Sequence, residues 1–431
     1  MGDFVPAAKA GETIYAKLRR MAADARRGNP HLIDPTTGLP ALLPAAQAPT
    51  INLAPGYANT AAVVAAGYSQ AIPAASSGVV SSKFAYTGGW PIVYASSYVR
   101  VPSVTQYSTG NGSAANNPPL NAMAWRVHFR TDAPIVVIAA VGNTPFRLLV
   151  NGQYVSLASS TMGASTPAFA TLDFSSVGGR AMRDVAIEMW AASSFYGVWL
   201  KPVDSFEKKS WADPIRAAYY GDSITTGTAA TYVGDCFAHV CGDALGIPDN
   251  WQIGVGSTGY GVGVANTSYA AEAHVFDITQ NCQPDVVFLT HNVNSYQQAA
   301  TGALSWANVA RPGFLSVYSQ IRAWRPTVPI FQIGVLASYN SALDTYAVPY
   351  ETAQKADVQA FAQSDPNLFY VPITTSEAPW VAGSGNSTAL ANNGNRDVLY
   401  DQAGPHPNTK GHQHIGLRLA AGALAAIAGK A

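Results

Sequence analysis

Charged residues are scarce in this sequence: Asp, Glu, Lys and Arg make up 12% of its 431 residues, and the formal net charge is zero. Such a chain creates no overall field that would attract nucleic acid or an anionic membrane surface. Apolar residues make up 48% of it, which is typical of packed domains and not of disordered chains. We therefore expect a globular protein of more than one domain, with no nucleic acid partner.

Cysteine is also rare, and long apolar runs are missing. Cys236, Cys241 and Cys282 form no CxxC pair and lie at no zinc-ligand spacing, so we expect buried structural residues and no disulfide framework. No apolar run reaches the roughly 18 residues of a membrane span. The first residues lack the apolar segment of a signal peptide. We expect a chain that is made in the cytoplasm and is not exported by the usual route, or one that has been trimmed.

The first 80 residues predict a helix followed by an extended arm. Apolar side chains recur at helical spacing among Lys and Arg, at Ile14, Leu18, Met21 and Ala25. They predict a basic amphipathic helix over residues 10–27, which packs either on its own protein or on a partner, as an anchor in a homo-oligomer or a larger particle. Residues 28–80 are rich in Ala, Pro, Gly and Ser and predict an extended arm or linker.

Residues 81–207 change to a period of two, which is typical of strands. Residues 146–150 and 153–157 flank Asn151-Gly152, the strongest hairpin signal that a short sequence offers. Further strands are predicted at 125–130, 134–141, 185–190 and 195–200. Strands and turns at this spacing predict a β-sandwich.

Residues 208–431 alternate between strand and helix patterns, which predicts an α/β domain with a parallel sheet and helices on both faces. The predicted strands are 217–220, 251–255, 285–290, 330–336 and 368–371, and the predicted helices include 314–324, 351–362 and a last helix that begins near Asn408. Open parallel sheets bind ligands at the carboxyl ends of their strands. Because polar or glycine-rich stretches follow several of these strands, we expect the active site at that edge.

The first of these stretches is Gly221-Asp222-Ser223. A buried strand that ends at Gly221 puts the Ser223 hydroxyl on a sharp turn, where a nucleophile is exposed and nearby N–H groups can hold an oxyanion. An ordinary turn is the competing interpretation, since all three residues favour turns. His406, which precedes the last helix, supplies the base that a nucleophilic serine needs and therefore favours catalysis.

Acyl transfer assigns a role to each candidate residue. Ser223 attacks a carbonyl carbon, His406 takes its proton, and Asp401 orients the imidazole. The oxyanion accepts hydrogen bonds from the N–H groups of Ser223 and Gly259 and from the side-chain amide of Asn294.

Residues 212–431 resemble the SGNH (GDSL-type) hydrolase superfamily. Gly221-Asp222-Ser223 matches its first block, and His406-Pro407 matches the end of its last block. The resemblance implies a flavodoxin-like three-layer domain with a five-stranded parallel sheet and a serine nucleophile. We expect no cofactor and no metal ion.

The other blocks depart from the family pattern. In the third block the family glycine is Asn292 and the family aspartate is Ser295. Three residues before His406, where the family has its acid, this sequence has Ala403. Asp401 reaches the imidazole only if residues 402–405 bulge outward, and the alternatives for the acid are Asp397 and a backbone carbonyl.

Four residues around these blocks are candidate substrate contacts: Asp222, His291, Asn292 and Tyr260. For Tyr260, packing is the competing interpretation. Two other ligands fit less well. A metal cluster of His406, His412, His414 and Asp401 would use a helix face that packing needs, and Gly256 and Gly259 lack the dinucleotide-binding spacing.

A β-sandwich ahead of such a domain resembles two-domain carbohydrate esterases, which have a jelly-roll-like N-terminal module and remove acetyl groups from polysaccharides. Residues 195–199 are similar to what those modules show just before their Gly-Asp-Ser. We therefore expect an esterase that deacetylates a polysaccharide and, by analogy alone, a phage tail-associated, extracellularly acting enzyme for bacterial surface glycan. The alternatives are a lipase or arylesterase for small or lipid acyl esters, and a non-catalytic structural or glycan-binding protein with a decayed scaffold.

Overall fold

The fold is described from a computed structural model of the chain. It covers residues 12–27, 40–94, 97–101, 124–190, 193–211, 214–262, 268–270, 275–290, 293–298, 306–336, 341–402 and 404–430. These residues form two compact units. The α/β unit contains the described residues up to Ala25 and from residue 214 onward, and the β unit contains the described residues in between.

The first helix, α1 (Ile14–Arg27), packs on the α/β unit, although the chain then leaves that unit. Leu18, Ala22 and Ala25 are buried on its apolar face. The Tyr15 hydroxyl donates a hydrogen bond to Asn367. The predicted amphipathic helix is thus present, and its apolar face packs on its own protein, so nothing here supports an anchoring role for it.

The β unit contains the short helix α2 (Thr60–Ala65) and sixteen strands. In chain order the strands are β1 (Thr50–Asn52), β2 (Gln70–Pro73), β3 (Ala75–Ser76), β4 (Val79–Val80), β5 (Ala85–Thr87), β6 (Ile92–Tyr94), β7 (Tyr98–Arg100), β8 (Ala124–Thr131), β9 (Ile135–Ala140), β10 (Pro145–Val150), β11 (Gln153–Tyr154), β12 (Ser160–Thr161), β13 (Ala168–Asp173), β14 (Arg183–Trp190), β15 (Phe195–Leu200) and β16 (Phe206–Lys208). Most of them form two antiparallel sheets. One has the order β1-β13-β9-β15-β7-β6 with β2 beside β15, and the other has the order β11-β10-β14-β8-β16 with β12 and β5 beside β10 and β8.

The two sheets share one apolar core, as the sequence predicts for a β-sandwich. Side chains such as Phe84, Trp125, Phe146 and Phe195 meet between them. The predicted hairpin is present as β10 and β11, with Asn151-Gly152 at positive φ. A jelly-roll topology is a finer description, which stays a prediction.

The predicted arm over residues 28–80 is wrong for its described part. Strands β1 and β2 lie within it and pair with β13 and β15 of the sandwich. Asn59 also caps α2 by accepting from the N–H of Ala62. Small residues and prolines predict a linker. Two short stretches of it are strands because they form hydrogen bonds with strands far along the chain. Residues 28–39 lie outside the described residues.

The α/β unit is built on five parallel strands. They are β17 (Arg216–Gly221), β18 (Asp249–Gly254), β19 (Val286–Leu289), β20 (Ile330–Ile333) and β21 (Leu368–Val371). The α-helices that follow are α3 (Phe237–Ala244), α4 (Val293–Gln298), α5 (Arg311–Trp324), α6 (Ser341–Ala362), α7 (Arg396–Leu399) and α8 (Thr409–Ala426). The strand order β18-β17-β19-β20-β21 is the flavodoxin-like order, so the predicted fold class of this unit is confirmed.

A row of stacked rings crosses this sheet and fixes its register. Tyr219 stacks on Phe288 with ring centroids 4.7 Å apart, and Phe331 continues the row at 5.0 Å from Phe288. The row ends at Phe369, which is 5.0 Å from Phe331. A slip of one residue would turn each ring to the other face, so the row keeps the carboxyl ends of the strands level. No helix in the described part of the chain is long and apolar enough to cross a membrane.

Candidate active site

The Gly221-Asp222-Ser223 turn begins where β17 ends at the carboxyl edge of the sheet. Gly221 is required there because a Cβ atom would lie 2.0 Å from Thr290 Oγ1 and 2.1 Å from Thr225 Oγ1. Beyond the turn, the Thr226 hydroxyl donates to the Ser223 carbonyl at 2.7 Å. These contacts fix the backbone of the turn. Ser223 itself is partly exposed at the edge of the sheet.

Ser223 meets His406 at this edge, as the sequence predicts. Ser223 Oγ and His406 Nε2 are 2.7 Å apart, although 183 residues separate them in the chain. Partial burial lowers the pKa of the His406 imidazole below its usual value, because it disfavours the charged form. The ring is therefore neutral near pH 7 and able to accept a proton.

The predicted acid does not contact this histidine. Asp401 is exposed, and its Oδ1 accepts hydrogen bonds from the Ser387 hydroxyl at 3.0 Å and from Asn408 Nδ2 at 2.7 Å. The alternative acid, Asp397 on α7, instead accepts from the N–H groups of Ala391 and Asn392 in the loop before this helix. Both carboxylates thus stabilise loop segments. Among the described residues, no carboxylate is hydrogen-bonded to His406.

One of the predicted oxyanion donors, the N–H of Gly259, is already engaged in a hydrogen bond. The N–H of Gly259 donates to the Val262 carbonyl at 2.9 Å, so it is engaged in closing its own loop. Gly256 lies beside the nucleophile, since a Cβ atom on it would be 3.8 Å from Ser223 Cβ. The N–H groups of Ser223 and Gly256 have no acceptor among the described residues, as an oxyanion hole requires.

The side-chain amide of Asn294, on the first turn of α4, is already engaged in hydrogen bonds within the protein. Its Nδ2 donates to the Thr258 carbonyl at 2.8 Å and approaches Asp222 Oδ2 at 3.5 Å. It therefore ties the glycine-rich loop after β18 to the serine turn. Its predicted role as a third oxyanion donor stays a prediction.

Two predicted substrate contacts are buried instead. Asp222 is fully buried, and its carboxylate accepts from the N–H groups of Ile224 and Val293, which joins the turn to α4. Burial raises the pKa of this carboxyl to about 7, against the effect of those hydrogen bonds. Tyr260 is 2% exposed and packs among other rings, with its hydroxyl donating to Gln332 at 2.5 Å. The other two candidates, His291 and Asn292, lie outside the described residues.

Ser295, which stands at the position of the family aspartate in the third block, accepts a backbone hydrogen bond. This residue is fully buried, and its hydroxyl accepts a hydrogen bond from the N–H of Tyr260 at 3.1 Å. A neutral acceptor is sufficient for one backbone donor, whereas a carboxylate at this depth would carry a desolvation cost.

The histidines near the site do not gather around a common point. His412 Nε2 donates to the Thr228 carbonyl at 3.0 Å, and its Nδ1 accepts from the N–H of Phe237 at 3.4 Å. His414 Nε2 donates to the Trp380 carbonyl at 2.8 Å. In the described part of the chain, no group of three or more His, Cys, Asp or Glu side chains is placed to hold a metal ion.

Protonation of His412 is expected to destabilise the α/β unit. Burial lowers the pKa of this imidazole from 6.5 to about 4, so the folded state holds the neutral ring. The neutral His412 ring therefore makes its full contribution to stability above pH 6.5. As the pH falls from 6.5 to about 4, the free energy of unfolding decreases by about 3 kcal/mol.

The check is urea unfolding at about pH 7.5 and about pH 4.5 of the natural chain and of His412→Gln, in which the amide still donates to Thr228. The natural chain should lose more stability than the variant between these values. Equal losses would contradict the role of His412.

Comparison with known proteins gives a family match within the α/β unit. Residues 219–414 match the model of the GDSL-like lipase/acylhydrolase family. No curated protein matches the chain in sequence.

Solved structures are similar to the chain in fold. The salicylyl-acyltransferase SsfX3 from a tetracycline biosynthetic pathway has 16% sequence identity and a TM-score of 0.57, over 83% of this chain and 98% of that chain. A family two carbohydrate esterase from Cellvibrio japonicus has 12% identity and a TM-score of 0.53, over 82% of this chain and 96% of that chain. At such coverage the likeness extends into both units.

Proposed function

Because residues 219–414 match the model of the GDSL-like lipase/acylhydrolase family, we propose that this chain is a serine esterase that removes O-acetyl groups from a polysaccharide. The observation that carries the proposal is the 2.7 Å contact between Ser223 Oγ and His406 Nε2 at the carboxyl edge of the sheet. A hydroxyl at this distance from a neutral imidazole can lose its proton as it attacks.

In the mechanism, Ser223 Oγ attacks the carbonyl carbon of the acetyl ester while His406 Nε2 accepts the hydroxyl proton. The N–H groups of Ser223 and Gly256 donate to the oxyanion of the tetrahedral intermediate. The imidazolium then returns its proton to the sugar oxygen, which leaves, and an acetyl-enzyme remains. A water molecule, deprotonated by His406, attacks this ester, and the imidazolium returns the proton to Ser223 Oγ as acetate leaves.

The polysaccharide part of the proposal has separate support. The nucleophile lies on an edge where it stays partly exposed, and a substrate larger than one acyl ester needs such access. The fold similarity to a carbohydrate esterase extends over 82% of this chain. The jelly-roll description of the β unit belongs to the same proposal.

Location on a phage tail, outside the cell, rests on analogy alone. The basic helix α1 adds no support, because Leu18, Ala22 and Ala25 on its apolar face are buried within the α/β unit. Immunogold labelling of particles and of culture medium would test the location directly.

The test of function compares acyl chains. The natural chain is assayed with p-nitrophenyl esters from acetyl to octanoyl and with acetylated xylan, with Ser223→Ala as the blank. We expect kcat/KM to be highest for acetyl and acetate to be released from the polymer. In a lipase each added CH₂ that is buried would contribute about 0.8 kcal/mol, so kcat/KM would rise with chain length and contradict the proposal.

A decayed, non-catalytic scaffold is the remaining alternative. A fluorophosphonate probe reacts only with an activated serine, and we expect it to label Ser223 in the natural chain. Absence of both labelling and acetate release would support a binding protein instead.

A further inference from the structure

Among the described residues, no carboxylate is bonded to the His406 imidazole. We propose that Arg396 is a positioning residue for His406: it fixes the loop that presents the imidazole to Ser223, a task that an acid partner performs in a Ser-His-Asp triad. The inference rests on the proposed esterase function.

Arg396 lies on the short helix α7 and is almost fully buried, with 1% of its surface exposed. Its Nη2 donates to the Gly404 carbonyl at 3.2 Å, two residues before His406. Its Nη1 donates to the carbonyls of Ser384 and Gly385, and the guanidinium lies 4.3 Å from the ring centroid of Tyr400. A planar cation with several N–H donors can bind carbonyls of separate loops at once, and lysine cannot reproduce this.

The same helix holds the other end of the loop. The N–H of Asn408 donates to the Leu399 carbonyl at 2.8 Å, and Asn408 Nδ2 donates to the Val398 carbonyl at 3.0 Å. Asn408 also caps α8, since its Oδ1 accepts from the N–H of Gly411. The chain from Gly404 to Asn408 is thus fixed to α7 at both ends, with His406 between them.

Arg396 acts on position and not on charge. The lowered pKa of His406 follows from burial of the ring. A shift of the imidazole by about 1 Å can cost about a hundredfold in rate, because attack requires an aligned contact. Loosening the Gly404 carbonyl should therefore lower kcat and leave the pH midpoint of the acidic limb unchanged.

The experiment introduces Arg396→Lys into the natural chain and into His406→Ala, with p-nitrophenyl acetate as substrate. In the natural chain we expect kcat to fall by about tenfold to a hundredfold with KM within about twofold. In the His406→Ala background we expect a change below about twofold, because Arg396 acts through the imidazole that is no longer there.

Arg183→Lys in the β unit is the matched control. Arg183 is also buried, donates to the carbonyls of Gly179 and Ala181, and lies 4.5 Å from the ring of Phe174. It should leave kcat unchanged in both backgrounds. An equal loss from Arg396→Lys in both backgrounds, or no loss in the natural chain, would overturn the proposal.

If Arg396→Lys fails to fold, Tyr400→Leu is the second variant. It removes the ring beside the guanidinium and keeps the cation, and it should lower kcat only where His406 is present. A loss that persists in His406→Ala overturns the proposal here too. If the natural chain has no esterase activity, the esterase function itself is rejected. If the natural chain is active and neither variant lowers kcat, only the role of Arg396 is rejected.

Discussion

Replacing Ser223 by alanine should lower kcat for p-nitrophenyl acetate by about 10⁴-fold to 10⁶-fold, the range seen when a nucleophile is removed from a serine hydrolase. The reason is local. Ser223 Oγ is 2.7 Å from His406 Nε2, and alanine removes the atom that forms the acyl-enzyme. The turn itself is expected to survive, because its hydrogen bond comes from the Thr226 hydroxyl to the backbone carbonyl of residue 223.

The variant should therefore keep its melting temperature and its KM. Ser364→Ala is a suitable control, since Ser364 is an exposed serine of the same unit whose hydroxyl donates only to the nearby Phe361 carbonyl. Initial rates and thermal unfolding of the three proteins give the result. Substantial turnover by Ser223→Ala would show that another group attacks the ester.

Replacing His406 by alanine should lower kcat about as much, and adding Ser223→Ala to it should cost little more, because the two side chains act as a unit. With His406 gone, Ser223 keeps its proton and only the oxyanion donors and substrate binding contribute. His414→Gln is the control, since glutamine can still donate to the Trp380 carbonyl, as His414 does at 2.8 Å. Multiplicative losses in the double variant would contradict a shared role.

The pH profile gives His406 a second signature. The base works when neutral, so kcat/KM should rise with pH as the imidazole loses its proton. Burial lowers the pKa of His406 below 6.5, which places the half-maximal point of this acidic limb below pH 6.5. The limb should be absent from the residual activity of His406→Ala. A midpoint above pH 6.5 in the natural chain would contradict a neutral, partly buried base.

Ser223 and His406 could be found from the sequence because their placement follows from strand ends and a parallel sheet. The partners of Asp401 could not be found in this way, because spacing alone does not show that its carboxylate accepts from Ser387 and Asn408. The engagement of the predicted donor Gly259 was hidden for a similar reason, because its hydrogen bond to the Val262 carbonyl depends on the path of the loop and not on the residue types.

The β unit shows the same limit. Strands with long alternating runs, such as β8 and β14, are predicted well, whereas β1 and β2, with three and four residues, are too short to be recognised alone. Their partners, β13 and β15, lie more than a hundred residues further along the chain.

Helix α1 has a consequence for how this protein is made. Its contacts lie at the far end of the chain, since the Arg19 guanidinium donates to the Ile427 carbonyl at 2.7 Å across 408 residues. During synthesis, α1 is made before the residues that it contacts. Its apolar face therefore stays without its packing partner until the β unit and the rest of the α/β unit have been synthesised. An expression clone trimmed to the catalytic segment would omit it, and the Phe369 ring, which α1 meets through Tyr15, would then be open to water and to aggregation.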